Sequence, residues 1–103
     1  MIIISACIDT EPGTVEAMTD AITTMMKASE AEEGCYSYVF SIEVGNPTNI
    51  RIFERWEDEA ALKAHFKTPH MAAFQAAMAE HPPKGMDLKV FDVTGEIPMP
   101  DVS

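Results

Sequence analysis

The chain opens on an apolar, largely β-branched run from Ile2 to Asp9. Such residues fit a pleated, half-buried surface, so the run predicts a strand. Thr10-Glu11-Pro12-Gly13-Thr14 breaks it, and Thr14 stands where a helix cap is wanted. Val15, Met18, Ile22, Met25, Met26 and Ser29 then recur at three- and four-residue steps. Glu16, Asp20, Lys27, Glu30 and Glu33 take the opposite side. That is the pattern of an amphipathic helix, which Gly34 is expected to stop in a left-handed conformation. From Cys35 to Val44 the period switches to two. Tyr36, Tyr38, Phe40 and Ile42 fall on one side of this second strand, and Cys35, Ser37, Val39 and Ser41 on the other. After a loop of turn formers, Gly45 to Asn49, a third strand is predicted over Ile50 to Glu57. It puts Ile50, Ile52, Glu54 and Trp56 on one face. The short connection makes the two strands an antiparallel hairpin.

Asp58 is placed to cap a helix from Glu59 to about Lys67 that carries Leu62, His65 and Phe66. Thr68 and Pro69 restart the chain as an N-cap and a first helical residue. The new helix runs to Glu80 with Met71, Phe74 and Met78 inward. His81 to Gly85 ends it, and Met86 to about Glu96 reads as a fourth strand. Residues 97–103 form an extended tail, because two prolines bar Ile97-Pro98-Met99-Pro100 from a central strand. The order β-α-β-β-α-β predicts one α+β domain over residues 1–103, with the ferredoxin-like topology. Strand one is apolar on both sides, Ile2, Ile4 and Ile8 against Ile3 and Cys7, yet there are helices enough for one sheet face. A second copy of the sheet is the simplest cover for the other, which predicts a homodimer.

Composition narrows the partners. Seven basic residues face seventeen acidic ones among 103, a formal charge of -10. Nucleic acid and anionic membranes would repel such a chain, so a neutral or weakly acidic small molecule is the expected ligand. The first apolar run is short, lacks a preceding basic residue and soon meets Asp9 and Glu11. It is expected to be neither signal peptide nor span. Two cysteines, Cys7 and Cys35, are too few for a disulfide framework and are expected to be buried and reduced, as in a cytoplasmic protein. No Gly-rich phosphate loop, cysteine cluster or H-E-x-x-H run is present, so no metal, haem or flavin is expected.

Two runs carry a family resemblance. Glu32-Glu33-Gly34-Cys35-Tyr36-Ser37-Tyr38 looks like an E-x-G-C-x-x-Y signature. The stretch from Ile52 to His65 looks like E-x-W-x-d-x-x-A-L-x-x-H, and Thr68-Pro69-His70 with Phe74 completes it. Together they resemble the antibiotic-biosynthesis monooxygenases, most closely their quinol monooxygenase branch. The resemblance implies a dimeric α+β barrel and oxidation of a phenol or hydroquinone by O2 without metal or flavin. The same scaffold also hosts haem-degrading enzymes and an isomerase of a phosphorylated signal, so fold alone does not fix function.

Oxidation by triplet O2 needs a substrate anion, hence a base, one or two hydrogen-bond donors and a dry apolar box. His65 is the first candidate base, since histidine exchanges protons near neutral pH. Glu54, on an apolar strand face, needs a partner or its proton is held more tightly, and it is the second candidate. Trp56 and Phe74 are candidates to line a ring-shaped substrate, and Tyr38 and Tyr36 to hydrogen-bond its oxygens. His70 is a weaker candidate for substrate contact, favoured instead to support its helix end. The pocket is expected to be closed, between the sheet and the last two helices. His65 and His70, five apart across a proline, do not match a helical ligand pair, and Glu54 as third ligand makes only a weak metal set. Haem cleavage is disfavoured: the haem-degrading relatives resemble one another in Asn, Trp and His at places where this chain has Ser5 or Cys7, His65 and Gln75. An isomerase acting on a phosphate would need Arg51, Arg55 or Lys67, against the acidic balance. A binding module without turnover is the remaining alternative.

Overall fold

The protein is described by a computed structural model covering residues 1–102. Chain order is β1 (Ile2–Asp9), α1 (Thr14–Glu30), β2 (Cys35–Glu43), β3 (Asn46–Trp56), α2 (Glu59–His65), α3 (Pro69–Glu80) and β4 (Gly85–Asp92). The strands form one sheet in the order β2-β3-β1-β4, and every neighbouring pair is antiparallel. This is the expected α+β, ferredoxin-like arrangement, with the second helical segment split in two where Thr68-Pro69 restarts it. The caps predicted at Asp58 and Thr68 are made, and the one at Thr14 is not. Asp58 accepts from the Ala61 N–H, and Thr68 accepts from the Met71 N–H.

Helices α1 and α3 pack on one sheet face. Ala6, Ile8, Ile50 and Ile52 meet Met18 and Ile22 there, and Ile2, Tyr38 and Trp56 meet Met25. Trp56 is fully buried. The helices stop short of β4. Its Met86, Leu88 and Val90 lie opposite Ile8, Ala6 and Ile4, so they belong to the helix side, yet they stay about half exposed. The opposite sheet face carries no helix. There Phe53 sits between Ser5 and Val39, and Ile3 between Arg55 and Phe91.

Several boundaries differ from expectation, each for a local reason. Gly13, with φ 87°, takes the N-cap position, so α1 begins at Thr14 without a side-chain cap. Helix α1 ends at Glu30 and not at Gly34. Residues after it turn back instead, with Glu32 N–H donating to Ser29 O at 3.0 Å and Cys35 N–H to Glu32 O at 3.2 Å. Gly34 is left-handed (φ 82°), but as the corner that enters β2. Strand β2 carries a bulge: Cys35 pairs with Trp56 while Ser37 pairs with Arg55. The extra residue reverses the alternation. Cys35 therefore joins the Trp56 side and Tyr36 is turned out, 54% exposed. Strand β3 begins at Asn46, leaving Val44-Gly45 as the hairpin turn. Helix α2 ends at His65, and β4 ends at Asp92, four residues before Glu96. Residues 93–102 have no regular secondary structure, and Ser103, the end of the expected tail, lies outside the described residues. Among the described residues no helix is long and apolar enough to cross a membrane.

Candidate active site

Between α3 and the β1/β3/β4 side of the sheet lies an apolar cavity of about 270 Å³. Ile4, Ile8 and Ile52 form its floor and Met71, Phe74 and Met78 its roof. It is open on the β4 side, through the half-exposed Phe66, Met86 and Leu88, so the expected closed box is not closed within one chain. Its polar wall groups are Tyr38, Glu54, His65 and Gln75, and no lysine or arginine lines it.

Strand geometry brings Glu54 in. It shares the inward face of β3 with Ile52 and Trp56 and is 6% exposed. Trp56 donates its indole N–H to Glu54 Oε1 at 2.9 Å. Trp56 is thus not a wall of the cavity but packs behind it and holds the carboxyl that is. Burial pushes the Glu54 carboxyl up from 4.5 to about 7; the Trp56 hydrogen bond opposes this and the negative charge of Glu32 adds to it. Across the sheet Tyr38 faces Glu54 and is 3% exposed, its phenol held protonated mainly by burial and then by the Glu54 charge.

His65 ends α2, 1% exposed yet part of the cavity wall. Its ring centroid lies 4.7 Å from that of Trp56 and 5.3 Å from that of Tyr38. Nδ1 is 2.6 Å from Glu32 Oε2, and His70 Nε2 is 2.7 Å from the same oxygen. The backbone turn after α1 fixes Glu32: Gly34 O accepts from Glu57 N–H at 2.8 Å, and a Cβ on Gly34 would lie 2.7 Å from Ala61 Cβ. Loop 31–34 is therefore pressed against the start of α2, which delivers Glu32 to the other end of that helix.

Of the residues expected at the site, His65, Glu54, Tyr38 and Phe74 meet in the cavity wall. Trp56 and His70 stand one contact behind it, and Tyr36 faces away because of the β2 bulge. Glu32, Gln75, Met71 and Met78 were not foreseen as site residues. Glu32 lies in the quoted signature run, but between elements, where periodicity assigns no direction. Met71 and Met78 were read as inward and needed only the cavity to give them a role.

Glu32, His65 and His70 also form a set of nitrogen and oxygen atoms all within 4.8 Å of one another. Zinc ligands at about 2.0–2.1 Å in tetrahedral array would stand about 3.3 Å apart. The observed contacts of 2.6 and 2.7 Å are hydrogen-bond lengths instead. Neither cysteine adds a reactive group. Cys7 Sγ donates to Asn49 Oδ1, and the thiol of Cys35 is pushed up to about 11, by burial first and then by the Glu32 charge.

A ferredoxin-like sheet with an apolar, ring-sized cavity and one carboxyl and one imidazole in its wall is the architecture of a small-molecule-binding domain. The sequence profile of the antibiotic biosynthesis monooxygenases matches residues 1–77. The chain belongs to that family. It is 34% identical over 76 residues to the Bacillus subtilis protein YcnE, which carries the name of a monooxygenase, covering 74% of this chain and 80% of that one. It is 33% identical over 88 residues to Escherichia coli YgiN, described as a probable quinol monooxygenase, covering 76% and 85%. Among solved structures, a Deinococcus radiodurans protein assigned to the antibiotic biosynthesis monooxygenases superposes with a TM-score of 0.87 at 17% identity, over 98% of this chain and all of that one. Rv0793 from Mycobacterium tuberculosis gives 0.78 at 22% identity, over 99% and 98%. At these identities the superpositions speak for the fold alone.

Proposed function

We propose that residues 1–103 act as one domain, a cofactor-independent monooxygenase that oxidises a small phenol or hydroquinone with O2 and works as a homodimer. The observation that carries this reading is the pairing, in one apolar wall, of His65 and a Glu54 carboxyl that keeps its proton to about pH 7. His65 removes the phenolic proton, and the resulting anion is the electron donor that O2 requires. Glu54 lends a proton to oxygen as charge collects there. One oxygen atom is inserted into a ring C–H to become a quinone carbonyl, and the other leaves as water. The substrate supplies all four electrons, so no outside reductant enters the balance.

The cavity supports a substrate of one or two rings. A cavity of roughly 150 Å³ admits a benzene, and usual ligand pockets begin near 300 Å³. The name of YgiN supports a quinol. The absence of any cation from the wall supports an uncharged substrate over a phosphorylated hydroxyketone. Arg51 instead pairs with Glu43 on the outer face, and Lys67 is exposed.

The test is anaerobic mixing with one- and two-ring phenols and hydroquinones, with Trp56 fluorescence reporting binding, followed by admission of air enriched in ¹⁸O2. Uptake of one O2 per substrate, with one label in the product, is expected. Tight binding without O2 uptake across the panel would leave a binding module or a non-redox enzyme.

A further inference from the structure

Glu32 does not line the cavity, yet it is the group on which the two imidazoles converge. A carboxylate oxygen only accepts, so the ring nitrogens that reach Glu32 Oε2 carry the hydrogens: Nδ1–H of His65 and Nε2–H of His70. A neutral His65 is then left with its lone pair on Nε2. That nitrogen makes no hydrogen bond among the described residues, while His65 itself is a wall of the cavity. The contact is made in a dry setting, with His65 against the rings of both Trp56 and Tyr38 and Glu32 13% exposed, so it is stronger than in water. His70, 20% exposed, comes from α3 and borders a separate cleft against α1 beside Asp20, outside the cavity wall. Its bond to Glu32 ties the carboxylate to a third element.

We propose that Glu32 is the positioning residue of the base, holding His65 as the Nδ1–H tautomer with Nε2 toward the cavity, and that His70 is the anchor that keeps Glu32 in place. Building on the reading of His65 as the base, this gives the Glu32 and His70 of the signature runs separate tasks. In the proton step the substrate O–H breaks, its electron pair stays on the substrate oxygen, and His65 Nε2 gains the proton. The imidazolium so formed lies against the Glu32 carboxylate, which stabilises it. The titratable groups around His65 are Glu32 of the loop, which meets its Nδ1, Glu54 of β3, which shares the cavity wall, Tyr38 of β2, 5.3 Å away ring to ring, and His70 of α3, 6.0 Å away ring to ring and bonded to the same Glu32 oxygen.

Nitrogen-15 NMR of the histidine side chains tests the tautomer without turnover. In the unaltered protein with His65 in its neutral form, Nδ1 is expected to be protonated and Nε2 bare. Glu32→Gln is expected to lose that fixed tautomer, and to lower kcat at least tenfold with KM changed less than twofold, the scale seen when a partner that orients a histidine is removed. Glu32→Asp should restore part of kcat. His70→Gln should leave the tautomer but lower kcat by less than Glu32→Gln does. An Nε2–H His65 in the unaltered protein overturns the proposal even if no variant folds. So does a Glu32→Gln protein with the same tautomer and the same kcat. Binding of one Zn²⁺ per chain, lost in Glu32→Gln, also overturns it, since the trio would then be a metal site. If the tautomer is as stated and no phenol is oxidised, the monooxygenase reading fails and the positioning stands.

Discussion

At the residue scale the cavity couples folding to protonation. Glu54 has its carboxyl raised from 4.5 to about 7, chiefly because burial penalises the anion. A group whose folded value is raised favours the fold while it holds its proton. Its contribution is therefore complete below about 4.5 and is lost as pH rises through about 7. The shift corresponds to about 3 kcal/mol at 1.36 per unit. Glu54→Gln keeps an acceptor for the Trp56 indole and has no proton to lose. Its stability relative to the unaltered chain is expected to improve from pH 4 to pH 8, by up to about 3 kcal/mol in urea melts; equal stabilities at both pH values would remove the strained carboxyl. The same cavity makes His65→Ala the sharpest kinetic test. Turnover should fall by about a hundredfold or more, the usual scale for a lost general base, while His81→Ala, away from the wall, should not change it. Unaltered kinetics in a folded His65→Ala protein would move the base to Glu54. His65 and Glu54 were legible in the sequence because one ends an amphipathic run and the other interrupts an apolar strand face. The hydrogen-bond chain behind His65 was not, since its members come from residues 32, 65 and 70 and meet only through tertiary packing.

At the scale of elements, the alternation of β1 and β3 and the caps at Asp58 and Thr68 were all readable, because each depends on neighbours in sequence. The β2 bulge was not. An unbroken period of two across Cys35 to Ile42 hides one extra residue, and that residue decides which way Tyr36 points. The end of α1 was also misjudged. Gly34 has the left-handed conformation expected of a helix stop, but what demands glycine is the close approach of α2. Gly34→Ala would combine left-handed strain of about 1–2 kcal/mol with a methyl forced onto Ala61, about 1–3 kcal/mol. A melting temperature lower by about 10 °C or more is expected. Because the displaced loop carries Glu32, any folded Gly34→Ala protein should also lose activity beyond its loss of stability. A Gly34→Ala protein that melts with the unaltered chain would show that the loop yields without cost.

At the scale of the whole molecule, the sheet is covered on one side only, and both of its uncovered regions carry large exposed apolar side chains. On the face without helices, Phe53 is 43% exposed, Phe91 47% and Val39 42%, with Ile3 beside Phe91. On the helix side the β4 residues Met86 and Leu88 form an open lip of the cavity. An open sheet face that leaves Phe53, Phe91 and Val39 this exposed, among Ser5, Arg55 and Lys89, is suited to being covered by another sheet. Packing it against its own copy would remove it from water, with the two sheets about 10 Å apart. Sedimentation at micromolar concentration is expected to give twice the mass of the chain. Phe53 lies on β3, central in the sheet, and its side chain touches neither the cavity nor Glu32, so Phe53→Lys should act on association first. The variant is expected to sediment as a monomer or to lose stability in a concentration-dependent manner, since mass action ties a dimer's melting to protein concentration. A lysine at this position on each copy would find few carboxylates to pair with on this face, where Asp87 already pairs with Lys89 at 2.7 Å. An unaltered protein that sediments as a monomer at all concentrations would mean that this face meets a different partner, or water. A dimer untouched by Phe53→Lys would move the contact to the β4 edge.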